Sequence, residues 1–460
     1  MYHLEQNSKT ALHIQLFKQI KEDILTNYKI DEKLPSIRKI ASTYNLSKNT
    51  VESAYSQLVV EGYIDSIPKS GYVVIQNSLS DFSSQFPCDI SNNIKEDEIL
   101  YDFFPARLES SSFPLKIWKR LFNKNINDSL DYGEYKDRQG EYDLRVQIAQ
   151  YLNKSRAVKC SAEQIIIGNG FISSISLLAL LLNDKHNSIA IEEPGYHVIR
   201  KVYENHNYKI DRIQVNKNGI TIEALEQTKS KLVYLTPSHQ YPTGVAIPIS
   251  NRLKILNWAN KNDALIIEDD YDTELSYINR PIPSLQGLDN NQRVVYIGTF
   301  SKALSPSLRV SYMVLPNHLL EIYKEKFSYY DSGVSLMTQN TLASFMEQGY
   351  WDKHLRKIRT LNKKKHNLLK SLLESKLKDS MKIVNQGGGL AILIQPTKQL
   401  DYKKLEELAI KEKIKLHFAK PRCGGNWQAL MMGFGGIKER DLENAIDIFS
   451  NIWFKCLRNE

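Results

Sequence analysis

The sequence predicts an α/β protein of more than one domain. A small helical N-terminal module carries a two-stranded wing, and a large module follows with a mainly parallel sheet and a smaller C-terminal α/β subdomain. At 460 residues the chain is longer than one hydrophobic core usually supports. Apolar residues recur at helical spacing near the start, whereas short apolar runs alternate with helix-length segments from about residue 165 onward. The second pattern is typical of strands joined through helices into one parallel sheet.

Three helices and two strands are predicted in the N-terminal module. Apolar side chains four residues apart place an amphipathic helix over 11–27. Serine caps helices well, so a second helix begins at Ser36 and a third, capped by Ser47, spans 48–61 before Gly62. Two short strands follow, at 63–67 and 71–75. This order is a winged helix-turn-helix, to which we assign residues 1–76.

Strand-like apolar runs mark the large module, which we assign to residues 98–460. The runs stand at 165–167, 188–191, 232–235, 264–267, 294–297 and 310–314. Between the two modules, residues 77–97 are rich in Ser, Asn and Asp, a composition that predicts a flexible linker.

The charge of the chain is uneven. The net charge is +9, but residues 1–76 hold nine Lys and Arg against eight Asp and Glu, so most of the excess lies downstream. One basic stretch, 353–370, includes Lys363, Lys364 and Lys365, and we predict a solvated helix face there. Nucleic-acid binding therefore has to be argued from pattern rather than from charge.

Membrane insertion, secretion and structural metal are not expected. No run of eighteen apolar residues occurs, and the first residues lack a basic and apolar leader, so the cytoplasm is the expected compartment. The four cysteines, Cys88, Cys160, Cys423 and Cys456, stand far apart without nearby histidine pairs. That spacing favours neither a disulfide framework nor a zinc site.

The N-terminal module resembles the winged helix-turn-helix of GntR-type bacterial regulators. The residues that carry the resemblance are Leu34–Arg38, Ala41, Leu46–Val51, Tyr55, Leu58, Glu61–Tyr63 and Lys69–Gly71. The resemblance implies binding to double-stranded operator DNA through Arg38, Ser47, Lys48, Asn49, Thr50 and Gly71. Lys48 stands where arginine is more usual, which exchanges bidentate guanine reading for a point-charge contact.

From Tyr101 onward the chain resembles the fold-type I aminotransferases, which use pyridoxal 5'-phosphate (PLP). The matching segments are Asp102–Pro105, Phe113–Pro114, Trp118, Tyr132–Gly133, Gly140, Leu144–Arg145, Glu193–Tyr196, Thr236–Gly244, Asp269–Tyr271, Ser301–Lys302 and Arg309. The fusion of the two modules is similar to the MocR-type subfamily of GntR regulators.

The resemblance assigns a role to each cofactor residue. Lys302 is expected to form the imine with PLP, and Asp269 to pair with the pyridine nitrogen, with Asp270 as the alternative. Tyr271 is expected to donate to the ring phenolate oxygen, and Tyr196 to stack on the ring. The phosphate is expected to bind at a helix start and a polar cup formed by Gly170, Phe171, Ile172, Thr299, Ser301 and Arg309. Tyr132 is expected to reach the phosphate of a second subunit, which implies a homodimer with a head-to-tail arrangement.

The pattern fails where aminotransferases hold the substrate carboxylate. Met431 stands where the family has an arginine, and Val198 stands where the γ-aminobutyrate-sensing MocR regulator has another. Arg200 and Arg422 are the nearby candidates to replace them. Because a charged hydrogen bond contributes about 1.5–3 kcal/mol, efficient transamination of ordinary amino acids is doubtful without this clamp.

The leading hypothesis is a PLP-dependent transcriptional regulator whose aminotransferase-like domain senses PLP or a small amine. Because the PLP set is retained while the carboxylate clamp is lost, PLP itself is a candidate effector, as in a pyridoxine (vitamin B6) biosynthesis regulator of the PdxR kind. Three alternatives remain: an active aminotransferase with a DNA-binding appendage, a MocR-type regulator of efflux or amine catabolism, and a chain that has lost PLP.

Overall fold

The computed structural model describes residues 2–5, 8, 10–68, 70–75, 99–127, 132–134, 137–277, 282–385, 388–419 and 428–458. The chain divides into two compact units, Met1–Lys95 and Glu96–Glu460. The linker predicted at 77–97 lies outside the described residues.

The N-terminal unit has the predicted helices and wing. Its elements are α1 (Leu12–Asn27), α2 (Ile37–Thr43), α3 (Lys48–Val60), β1 (Ile64–Ile67) and β2 (Gly71–Val74). The Ser36 hydroxyl accepts a hydrogen bond from the Lys39 amide, and the Ser47 hydroxyl accepts one from the Thr50 amide at 3.1 Å, so both serines cap their helices as predicted. Leu16, Ile20 and Ile24 are fully buried against α3 residues. The antiparallel pair β1–β2 forms the wing.

The second unit is built on an eight-stranded sheet. After β3 (Tyr101–Asp102), its strands are β4 (Ile165–Gly168), β5 (Ser188–Glu193), β6 (Lys209–Asn216), β7 (Gly219–Ile220), β8 (Leu232–Leu235), β9 (Leu265–Asp269), β10 (Val294–Thr299) and β11 (Ser311–Val314). The order across the sheet is β4-β11-β10-β9-β8-β5-β6-β7. Pairs from β6 through β5, β8 and β9 to β10 are parallel, whereas β11 and β7 run antiparallel to their neighbours. The mainly parallel sheet is confirmed.

Helices cover both faces of this sheet. They are α4 (Leu115–Asn125), α5 (Tyr142–Arg156), α6 (Phe171–Leu182), α7 (His197–Asn205), α8 (Ile222–Gln227), α9 (Ile249–Lys261), α10 (Leu285–Leu288), α11 (Asn317–Lys326), α12 (Leu336–Glu347) and α13 (Tyr350–Leu377). Alternate residues of β9 show the two faces, since Ile267 packs in the core beside α6 and α7 whereas Ile266 packs in the core beside α9. Burial on both faces explains why these strands appear as continuous apolar runs.

A smaller α/β subdomain completes the chain, as predicted. It contains β12 (Met381–Asn385), β13 (Ala391–Pro396), α14 (Tyr402–Lys411), β14 (Ile414–Lys415), β15 (Phe418–Ala419), β16 (Ala429–Gly433) and α15 (Leu442–Cys456). Its antiparallel sheet has the order β12-β13-β16-β15, and β14 pairs in parallel with β3. Short 3-10 helices lie at Ser110–Ser112, Ala162–Gln164, Thr273–Leu275, Pro306–Leu308, Lys378–Ser380 and Glu439–Asp441.

The prediction of a wholly solvated basic face on α13 is wrong at Lys365. This side chain is fully buried, and its Nζ lies 2.6 Å from Glu109 Oε2. Lys364, its neighbour, is 70% exposed and pairs with Glu439. The one-residue step turns a side chain by about 100° on a helix, which carries Lys365 from the solvent to the core face.

The described part of the chain lacks two kinds of feature. None of its helices, the 28-residue α13 included, is long and apolar enough to cross a membrane. Nor do the described residues hold a group of three His, Cys, Asp or Glu side chains suited to a metal ion. Cys160 and Cys456 are free thiols.

Candidate functional site

The wing and the starts of α2 and α3 present the polar residues predicted to face DNA. Arg38, Lys48 and Asn49 are exposed, and Gly71 has a φ of +102°, a backbone conformation that favours glycine. The Ser47 and Thr50 hydroxyls lie 2.8 Å apart and bond to each other at the helix start. Ser47 therefore shapes the end of α3, while the neighbouring Lys48 and Asn49 extend from it.

In the second unit, a cavity of about 760 Å³ opens where the parallel strands of the large sheet end. Carboxyl ends of parallel strands meet at one edge, which is where ligands bind in such sheets. Nine of the predicted cofactor residues line this cavity: Phe171, Ile172, Tyr196, Asp269, Tyr271, Thr299, Ser301, Lys302 and Arg309. Side chains from widely separated parts of the chain are thus brought together.

Lys302 lies just beyond β10, with its side chain 18% exposed. Its Nζ is 3.6 Å from Asp272 Oδ2 and 4.1 Å from the centre of the Tyr271 ring. Burial lowers the pKa of Lys302, and the carboxylates of Asp272 and Asp269 oppose that shift. A lysine with a lowered pKa has more of the neutral amine that attacks a carbonyl.

Asp269 ends β9 with a buried carboxylate. Tyr234 donates a hydrogen bond to Oδ2, whereas Oδ1 has no hydrogen-bond partner among the described residues. Burial raises the pKa of Asp269 to about 7, although the Tyr234 hydrogen bond opposes the shift. A buried acceptor without a partner is costly. Such an atom fits the protonated nitrogen of a ring bound in the cavity.

Asp270 faces away from the cavity. Its carboxylate accepts hydrogen bonds from Arg156 Nε at 2.7 Å and the Tyr296 hydroxyl at 2.6 Å. Burial would raise the pKa of Asp270, but the Arg156 charge and the hydrogen bonds from Thr273, Tyr296 and Arg156 together lower it. Asp270 is therefore already engaged in a structural ion pair, which argues against its alternative role beside the pyridine nitrogen.

Tyr271 and Tyr196 both line the pocket wall. Tyr271 donates to the His239 carbonyl at 2.9 Å. Tyr196 precedes α7 and meets the Tyr241 ring edge-on at 5.4 Å between centroids. Tyr241, which also lines the cavity, was not among the residues predicted from sequence.

An anion-binding cup forms at the start of α6. Gly170 precedes the helix with a φ of +80°, and a Cβ there would overlap the Arg309 guanidinium. The first turn of α6 carries no acidic residue. Thr299 Oγ1 donates to Ser301 Oγ at 2.9 Å on the other side of the cup. Free helix amides, an arginine and two hydroxyls together suit a phosphate.

Two predicted cofactor residues do not line the cavity. Gly170 acts through its backbone by allowing the close approach of Arg309. Tyr132 is 51% exposed, and its hydroxyl donates to the Asn127 carbonyl at 3.1 Å. The expected role of Tyr132 at a second subunit stays a prediction.

Comparison with known families agrees with both units. Residues 106–432 match the family model described as aminotransferase class I and II. Residues 12–74 match that of bacterial regulatory proteins of the gntR family. A probable rhizopine catabolism regulatory protein, MocR of Rhizobium meliloti, is 32% identical over 86% of this chain and 84% of its own. The chain belongs to the MocR-type GntR regulators.

Other MocR-type relatives match over similar lengths. An uncharacterized HTH-type transcriptional regulator, YdeL of Bacillus subtilis, is 38% identical over 98% of both chains. The HTH-type pyridoxine biosynthesis transcriptional regulator PdxR of Corynebacterium glutamicum is 27% identical over 85% of both. Among solved structures, an archaeal alanine:glyoxylate aminotransferase superposes with a TM-score of 0.71 at 21% identity, over 78% of this chain and 92% of its own. This last likeness shows the fold.

In this MocR-type chain, the charges of the cavity wall around Met431 differ from those that the aminotransferase pattern implies. Met431 lines the cavity and is buried, so no cation stands at that position. Arg200 pairs with Glu204 at 2.7 Å on α7, and Arg422 lies outside the described residues. Arg107, which the sequence reasoning missed, lines the cavity instead.

Proposed function

We propose that this MocR-type regulator binds PLP in the cavity of its aminotransferase-like domain, and that the state of this site changes its affinity for operator DNA. The observation that carries the proposal is the convergence of three matching groups. These are Asp269 Oδ1, which has no hydrogen-bond partner in the described part of the chain, the Lys302 amine of lowered pKa, and the cup of Gly170 and Arg309.

Each group of this chain has its own task. When bound, PLP supplies an aldehyde that an amine attacks and a protonated ring that withdraws electrons. Asp269 Oδ1 holds the proton of the ring nitrogen, and the Tyr271 hydroxyl donates to the ring oxygen in place of its bond to the His239 carbonyl. Arg309, Ser301, Thr299 and the amides of Phe171 and Ile172 hold the phosphate. Lys302 supplies the amine.

Two effectors are compatible with this site, PLP itself or a small amine that competes with Lys302. The relative named for pyridoxine biosynthesis suggests PLP as the effector, and the relative named for rhizopine catabolism suggests a small amine. A PLP response points to control of vitamin B6 supply. An amine response points to amine catabolism or efflux, with PLP as a permanent prosthetic group.

Operator binding by the apo-protein separates these cases. Affinity for the DNA upstream of its own gene is measured at fixed salt, without PLP, with PLP, and with PLP plus a panel of primary amines. We expect PLP or an amine to shift the affinity, and Lys302→Ala to abolish the shift. A DNA affinity that no addition changes would refute ligand sensing. An unchanged visible spectrum on adding PLP would refute cofactor binding.

Catalytic turnover is the second candidate, favoured by the lowered pKa of Lys302 and its 3.6 Å approach to Asp272. It predicts repeated conversion of an amino donor and a keto acid into the exchanged pair. Product limited to one equivalent per site would exclude it and leave the regulatory role.

We also infer a homodimer, because Tyr132 is exposed and does not line the cavity of its own chain. In a dimer with a shared site, Tyr132→Phe weakens PLP binding without changing the fold. Light scattering of the purified protein gives its mass directly. A monomeric mass, or a PLP affinity that Tyr132→Phe leaves unchanged, would contradict this inference.

A further inference from the structure

One cation of the cavity wall has no task in PLP binding. Lys302 and Arg309 are assigned to the aldehyde and the phosphate, but Arg107 also lines the cavity. It lies in the segment between β3 and α4, far in sequence from the PLP motifs. Its side chain is 58% exposed, so the guanidinium is accessible.

Arg107 is held in place from two sides. Its Nη1 donates to Asp102 Oδ2 at 3.2 Å. Its aliphatic stem crosses Gly436, where a Cβ would lie only 2.6 Å from Cγ and 2.8 Å from Cδ of Arg107. A side chain at position 436 would therefore displace the stem, and the glycine allows it to lie flat.

Asp102 is itself fixed. Its Oδ1 accepts hydrogen bonds from His417 Nε2 at 2.8 Å and from the Phe104 amide at 3.0 Å. The Arg107 guanidinium makes no other hydrogen bond within the described residues, so four of its five N–H donors remain for a ligand. An arginine held at one edge offers the other edge as a preorganised fork for a carboxylate.

This cluster lies beside Met431. The Met431 amide donates to the His417 carbonyl at 2.8 Å, and both side chains line the cavity. Tyr241 closes the same wall, with its hydroxyl 3.6 Å from Met431 Sδ. The positive charge expected on β16 is thus absent, but another stands on a neighbouring segment of the same wall.

We propose that Arg107, positioned by Asp102, His417 and Gly436, binds the carboxylate of an amino-acid ligand in this cavity. The ligand class is a primary amine that carries a carboxylate, with its amine toward Lys302 and its carbon chain against Met431 and Tyr241. This inference rests on the proposed ligand sensing, but it concerns a different part of the cavity from the PLP groups.

Matched ligand pairs test this subsite. Dissociation constants are measured by calorimetry for glycine, β-alanine, γ-aminobutyrate and δ-aminovalerate, and for methylamine, ethylamine, propylamine and butylamine, which lack the carboxylate. The protein is used both with and without PLP. At one chain length at least, we expect the amino acid to bind about tenfold more tightly than its amine. Arg107→Gln should remove that preference, and Arg107→Lys should restore part of it.

Arg200→Gln is the matched control, because Arg200 is paired with Glu204 on α7 and does not line the cavity. It should leave the preference unchanged. If Arg107→Gln weakens amine and amino acid equally, or if the wild type shows no preference, the subsite is refuted. A preference that depends on Arg107 in protein that never takes up PLP would uphold the subsite and refute the PLP proposal.

Discussion

Burial favours the protonated form of Asp269, whereas a protonated PLP ring nitrogen would favour its ionised form. Burial raises its pKa to about 7 in the free protein, so the folded state retains a proton that the unfolded chain releases at lower pH. The resulting stability is present below the ordinary pKa and is lost as the pH rises through about 7. Asparagine cannot ionise and removes this loss.

Asp269→Asn should therefore raise the melting temperature of the apo-protein by roughly 2 °C or more at about pH 8, with little change at about pH 4. With PLP bound, Asp269→Asn should instead lower the melting temperature, because the variant cannot form an ion pair with a protonated ring nitrogen. Thermal unfolding with and without PLP at both pH values measures this. Equal effects in both forms would show that Asp269 does not face the cofactor.

The charge of Asp272 limits how far burial lowers the pKa of the Lys302 amine. Its carboxylate opposes the effect of burial and raises the pKa of Lys302, while His239 Nδ1 holds the same oxygen at 2.8 Å. Asp272→Asn should lower the pKa of Lys302 further, because the adjacent negative charge is lost. The pH dependence of Lys302 acetylation, followed by mass spectrometry, reports the change. A pKa that rises or stays constant would mean that the carboxylate does not control the amine.

At the scale of elements, the turn before α6 depends on one glycine. Gly170→Ala combines a positive φ with overlap of the Arg309 guanidinium. Gly349→Ala, before α13, has a similar φ of +71° but open space around the added Cβ. Both should cost about 1 kcal/mol of backbone strain, but only Gly170→Ala should also weaken PLP binding, by roughly tenfold. Spectroscopic PLP titrations of both variants compare them. Equal PLP affinities in the two variants would show that Arg309 does not bind the phosphate.

Adjacent lysines on α13 provide a second matched pair. Lys365 is fully buried against Glu109, whereas Lys364 forms an exposed pair with Glu439. Lys365→Ala leaves a partly buried carboxylate and a cavity, and should cost about 3 kcal/mol of unfolding free energy. Lys364→Ala should cost about 0–1 kcal/mol. Denaturant unfolding distinguishes them, and similar costs would contradict the burial of Lys365.

Helices and strands were predictable from sequence where one spacing of apolar residues dominated. The runs that became β4, β5 and β8–β11 are apolar throughout because helices cover both faces, and Ser36 and Ser47 marked their helix starts. Strand β6 was missed, since Lys209–Asn216 mixes polar and apolar residues at the sheet margin and shows no continuous run. The Lys363–Lys365 run was misread because composition alone does not show which side chains of α13 face the core.

For the whole molecule, sequence motifs predicted which of the groups proposed to bind PLP meet in the cavity, but they did not predict the wall that contains Arg107. Lys302, Asp269 and Tyr271 each follow or end a buried strand, so parallel topology alone brings them to one edge. Arg107 had no such signal. Its position depends on the Asp102–His417 hydrogen bond across 315 residues and on a glycine 329 positions away. Contacts of that range arise only after the smaller subdomain folds against the segment before α4.

Ligand sensing by the whole protein makes one quantitative demand on its two sites. If PLP changes the affinity for operator DNA by some factor, the operator must change the affinity for PLP by the same factor, because the two equilibria form a closed cycle. Coupling of about 1–3 kcal/mol corresponds to a change in affinity of roughly 5–150-fold.

Operator affinity is measured with and without PLP, and PLP affinity with and without operator. One buffer is used throughout, because phosphate contacts make DNA binding salt-dependent. We expect equal factors in the wild type. In Lys48→Ala, operator DNA at concentrations below the weakened dissociation constant should leave the PLP affinity unchanged. Unequal wild-type factors would mean that the PLP effect arises from aggregation or from PLP attached to other lysines, and not from coupling between the cavity and the DNA-binding unit.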